Sequence, residues 1–105
     1  MKKNFAVLTS AETFSSGNAM ASILSDRGIP ILGERSGGGS CSVQGNDTAE
    51  GWSYSISCNI HLINAAGEDI DAGVPVSTEL VAASDDGTRD FSAFYDFDRI
   101  RECMK

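Results

Sequence analysis

A mixed α/β fold is predicted by three features, met in chain order. Phe5-Ala6-Val7-Leu8 is a short continuous apolar run. Residues 15–27 carry a helical stripe that leads into a second apolar run, Pro30-Ile31-Leu32-Gly33. Residues 52–62 alternate strictly between apolar and polar side chains. The first run is long enough for a strand buried on both faces, as in a parallel sheet. Residues 9–13 are turn-like. Ala19, Met20, Ile23 and Leu24 then fall on one face of a helix, Ser15 or Ser16 can cap its start, and Gly28 suits the left-handed position after its end. Strand, helix and strand within about thirty residues make a βαβ unit, with parallel strands and a right-handed crossover.

The second half adds antiparallel strands. Trp52, Tyr54, Ile56, Cys58, Ile60 and Leu62 alternate with Ser53, Ser55, Ser57, Asn59 and His61, which predicts one strand, or two with a bend, having a buried and a polar face. Residues 70–76 read as a short extended segment interrupted by Gly73 and Pro75, and residues 66–90 as mostly loop. Asp96 is placed to cap a short C-terminal helix through Met104, with Phe97, Ile100 and Met104 turned inward.

The 105 residues are the length of one domain, and 41% hydrophobic residues suffice for a core. A net charge of −7 argues against a nucleic-acid surface or an anionic membrane face, both of which need clustered Lys and Arg. The apolar run after Lys2 and Lys3 is too short for a leader or a membrane span. Cys41, Cys58 and Cys103 are unequally spaced and odd in number, so they read as small, mostly buried thiols of a reducing environment, with a Cys41–Cys58 bridge as the alternative.

Few motifs carry chemistry. Gly37-Gly38-Gly39-Ser40 lacks the Lys of a phosphate-binding loop and the spacing of a dinucleotide fingerprint. The paired acids, Asp69 with Asp71, Asp85 with Asp86 and Asp96 with Asp98, lack the spacing of a calcium loop, and the lone His61 sits on a polar strand face, so neither a metal nor a cofactor is expected. What remains is Thr13-Phe14-Ser15-Ser16-Gly17-Asn18, a hydroxyl at a sharp passage into a helix, whose first free N–H groups can stabilise an oxyanion. A plain N-cap serine is the competing reading.

Val7-Leu8-Thr9-Ser10, Thr13-Phe14-Ser15-Ser16 and Ile31-Leu32-Gly33-Glu34-Arg35-Ser36-Gly37-Gly38-Gly39-Ser40 together resemble the C-terminal-processing, or tail-specific, serine peptidases. Gly67-Glu68-Asp69-Ile70-Asp71-Ala72-Gly73-Val74 and Phe94-Tyr95-Asp96 extend the resemblance in order over residues 4–103. It implies a crotonase-like core half, with Ser15 as nucleophile, the Ser16 amide as an oxyanion-hole donor, Gly33 and Glu34 flanking the site, Gly37, Gly38 and Gly39 beside the substrate, and Asp71 near the place of a downstream acid. Departures are visible. The glycine-rich loop holds no Lys to serve as base, and no Lys lies between Lys3 and Lys105. The closer likeness is to the tricorn-like branch, whose His and second Ser lie upstream of the nucleophile.

The expectation is therefore the C-terminal part of a serine peptidase core, acting on a peptide or protein substrate when complete and inactive alone. The alternatives are a ligand-binding module of the same fold, and an assembly piece that dimerises or pairs with a missing N-terminal half. Location in the cell is not legible.

Overall fold

The computed structural model describes residues 5–105, so Lys2 and Lys3, weighed above as the flank of a leader, lie outside the described residues. A three-stranded parallel sheet carries the first half. β1 (Val7–Thr9) pairs with β2 (Ile31–Gly33), placing Leu8 opposite Leu32, and β2 pairs with β5 (Thr78–Glu79), giving the order β1-β2-β5. α1 (Ser16–Asp26) is the crossover between β1 and β2. β3 (Cys41–Asp47) and β4 (Ser53–His61) form a separate antiparallel hairpin, and α2 (Phe97–Cys103) closes the chain after a single 3₁₀ turn at Ser92–Tyr95. The mixed α/β class is as predicted.

The helix ends follow their local chemistry. Gly28, at φ 70°, turns the chain out of α1, its N–H donating to the Ser25 carbonyl at 2.7 Å while Ile29 N–H reaches Leu24 O at 2.9 Å. Asp96 caps α2 by accepting Arg99 N–H at 3.1 Å.

The core is small and sits beneath β2. Leu32, Leu80, Ala82 and Phe94 are buried together, with Ala6, Phe91, Ile100 and Cys103 against them. A second cluster, Ala21, Ile70 and Val74, lies between α1 and the segment after β4. Each fully buried Leu contributes about 2 kcal/mol by removal from water. Phe91 and Phe94 meet edge to face at 5.3 Å, and the Arg89 guanidinium stacks 5.0 Å above the Phe91 ring.

Six expectations need correction. β1 is not buried on both faces: Thr9 is covered, but Leu8 is 40% exposed. α1 presents Asn18, Ala21 and Ser22 to the interior and leaves Met20 and Ile23 in solvent, because its inward face meets backbone and hydroxyl groups rather than an apolar sheet face. The alternating strand is present as β4, yet its apolar side is exposed as well as its polar side. Phe97 also points outward, while Ile100 alone of the predicted α2 stripe packs on the main core cluster. The three thiols are free and each is only half-buried rather than mostly buried, and no Cys41–Cys58 bridge forms. β3 and the two-residue β5 lie where no strand was predicted, since both depend on distant partners rather than on a local pattern.

Candidate functional site

Ser15 stands at the head of α1 in a conformation that needs explanation. Its φ of 55° and ψ of −118° make it the one residue other than glycine with positive φ among the described residues. An ordinary N-cap serine has extended angles and spends its hydroxyl on a helix N–H; here the side chain makes no capping bond. Such a backbone costs on the order of 1–3 kcal/mol and persists only where its surroundings hold it. They do so from both sides. Ser15 N–H donates to Gly38 O at 2.8 Å, and its carbonyl accepts Ala19 N–H at 3.0 Å and, more weakly, the Ser40 hydroxyl at 3.5 Å. The plain N-cap reading of this serine is therefore not met.

The glycine-rich loop is the other wall. Gly37 N–H donates to Thr13 O at 2.7 Å, and Phe14 pairs with Gly38 as in a short parallel bridge. Gly38 has φ 79°, and a Cβ there would fall 1.8 Å from Asp71 O. Gly39, at φ 74°, lies under the Phe14 ring, which a Cβ would meet at 2.1 Å. These two positions require glycine for both angle and space.

Asp71 braces this loop rather than touching the serine. Its carbonyl accepts Gly39 N–H at 3.1 Å, and its Oδ1 accepts Cys41 N–H at 3.1 Å. Among the described residues the Ser15 hydroxyl has no hydrogen-bond partner, and neither does the Ser16 N–H, the first donor of α1. Ser15, Ser16, Ala19, Gly39, Ser40, Cys41 and Leu62 line a depression of about 230 Å³. Two larger ones, of about 360 and 570 Å³, lie elsewhere on either side of Arg35, so size alone would not choose this place. His61 Nδ1 pairs with Asp69 Oδ2 at 3.0 Å. Among the described residues neither it nor any acid bonds Ser15 Oγ.

The sequence reading missed the group that ties these pieces together. Asn18, fully buried, donates through Nδ2 to Ser40 Oγ at 2.6 Å and to Ile70 O at 2.8 Å, and accepts from Ser36 Oγ at 2.5 Å. Ser36 Oγ in turn accepts Val74 N–H at 2.7 Å. One amide thus fastens α1, the glycine loop and the 70–74 segment. The available signal was the spacing of Asn18, Ala21, Ser22 and Ser25, a small polar stripe that marks a helix face packed against backbone.

A charged clamp holds the outer side. Arg89 forks to Glu34 Oε2 at 2.6 Å and Glu12 Oε2 at 3.0 Å, while Glu34 also accepts the N–H groups of Ala11 and Ala82. The Arg89 guanidinium first, then those amides, hold the Glu34 carboxyl well below the usual range, at about 2. This pins the turn before Ser15 to the end of β2.

With the geometry in hand, the chain can be set beside known proteins. Its structure is similar to the crystal structure of a putative peptidase from Parabacteroides merdae, with a TM-score of 0.61 and 23% sequence identity. The two share a fold over the matched part. The match covers 77% of this chain and 26% of that protein, so the chain spans about a quarter of the neighbour's length. No family model and no curated protein matches the sequence.

Proposed function

We propose that the chain carries the nucleophile side of a serine peptidase site of the tail-specific type, with Ser15 as the acyl-forming residue. The observation that carries this reading is the backbone of Ser15, held at positive φ with its hydroxyl unspent on capping, directly before the Ser16 N–H, which has no partner among the described residues. Ser15 Oγ attacks the scissile carbonyl carbon of a peptide, its proton passing to a base, and the carbonyl oxygen gains the charge. Ser16 N–H donates to that oxyanion, an interaction whose loss typically costs 10²–10³ in rate. Collapse expels the amine, which takes the proton, and water hydrolyses the ester. Gly37, Gly38 and Gly39 lie beside the substrate backbone, and Asp71 acts by holding Gly39 and Cys41 in place.

No base reaches Ser15 among the described residues, so a further segment or chain supplies it, and the chain alone hydrolyses peptides negligibly. Added imidazole can stand in for that base. The expected outcome is imidazole-dependent acylation by an activated ester that Ser15→Ala abolishes; equal acylation of both proteins would contradict the reading. The same missing base favours the second reading, a non-catalytic ligand-binding module of this fold, which predicts no Ser15 acyl adduct even with imidazole.

A further inference from the structure

Asp71 grips the amides of Gly39 and Cys41, the two neighbours of Ser40, and both residues line the depression that holds Ser15. What sets Asp71 lies one step further out. Asp69 spends both carboxylate oxygens: Oδ1 accepts Asp71 N–H at 2.8 Å, and Oδ2 accepts from His61 Nδ1 at 3.0 Å. A carboxylate can only accept, so the imidazole carries its proton on Nδ1. His61 is itself the residue paired with Cys41 across the hairpin, at the point where the β3–β4 register has slipped: Val43 faces Ser57, but Cys41 faces His61. The contacts close a ring, from Cys41 to His61, to Asp69, to Asp71, and back to Cys41 N–H. Ile70, between the two acids, is pinned as well, its N–H donating to Leu62 O at 3.2 Å and its carbonyl accepting Asn18 Nδ2 at 2.8 Å.

We propose that Asp69 is a positioning residue for the Ser15 site, holding Gly39 and Cys41 in place through Asp71; its effect on reactivity rests on the peptidase reading above. The His61 and Asp69 side chains are 37% and 51% exposed, and an ion pair so placed contributes little to global stability. Its consequence is local, at the wall it closes. The loop is seated directly on Asp71, since a Cβ on Gly38 would run into Asp71 O, so a displaced Asp71 moves the loop. Gly38 O in turn accepts Ser15 N–H at 2.8 Å, which carries that displacement to the backbone of the nucleophile. A misplacement of about 1 Å in such a site costs on the order of 10²-fold in rate.

Amide hydrogen exchange of the full chain, read by NMR at Gly39 and Cys41, tests this beside urea unfolding and imidazole-dependent acylation by an activated ester. Asp69→Ala is expected to speed exchange at both amides and to slow acylation, each by about tenfold, with the urea midpoint and the exchange of Ala21 and Leu32 held. Asp69→Asn keeps an acceptor for Asp71 N–H and offers a donor to the other imidazole tautomer, so it restores both. Unchanged exchange at Gly39 and Cys41 in Asp69→Ala overturns the proposal. So does faster exchange with wild-type acylation, a loss of protection spread over the whole core, or an asparagine variant that behaves like alanine. Exchange needs no chemistry at Ser15, so a wild type that never acylates overturns the peptidase reading and leaves the brace to be decided by the two amides.

Discussion

Ser15 sits in a backbone conformation that glycine would adopt more cheaply, and no capping bond compensates for it. Ser15→Gly is therefore expected to stabilise the fold by about 1 kcal/mol while removing all acylation, read by urea unfolding beside ester turnover. A destabilised Ser15→Gly would mean that the side chain supports the fold. The neighbouring loop responds in the opposite sense. Gly38→Ala brings a methyl against Asp71 O at an angle alanine resists, and should cost more than about 2 kcal/mol. Ser15 and its loop were legible in the sequence because a hydroxyl before a helix and three adjacent glycines are local signs. The bracing role of Asp71 was not, since the Cys41 amide it accepts lies thirty residues away.

At the scale of elements, the site is a junction of three chain segments fastened by one amide. Asn18→Leu leaves Ser36 Oγ, Ser40 Oγ and Ile70 O without their partner in a buried place. A loss of about 2–4 kcal/mol is expected in denaturant unfolding, and a neutral result would show the network to be incidental. The Glu12–Arg89–Glu34 clamp adds a pH dependence. The carboxyl of Glu34 is depressed from 4.5 to about 2, so its contribution is complete above the unfolded value and is lost as pH falls from about 4.5 towards 2. Arg89→Met should flatten that part of the stability curve, and an unchanged acid limb would contradict the assignment. β1, α1, β2 and the Asp96 cap were readable from periodicity and capping. The inward face of α1 was not, because its partner is backbone and hydroxyl rather than an apolar sheet face, and apolar periodicity points to the wrong side.

For the whole molecule, the extents are 57 × 38 × 18 Å and the radius of gyration is 16.8 Å, against about 13 Å for a compact domain of this length. The β3–β4 hairpin shows why: both strands are largely exposed, and alternation along β4 correctly announced a strand while wrongly implying that its apolar side was covered. Periodicity reports that a face is apolar, and only a partner can bury it. The chain matches about a quarter of the neighbouring structure's length, and among the described residues no basic side chain reaches Ser15.

The measurement that bears most directly on Ser15 is peptide-mapped mass spectrometry of the chain after a fluorophosphonate, with and without imidazole. The expected result is a phosphonyl adduct on Ser15 that imidazole increases and Ser15→Ala removes. An adduct confined to other hydroxyls, or none at Ser15 under either condition, would contradict it.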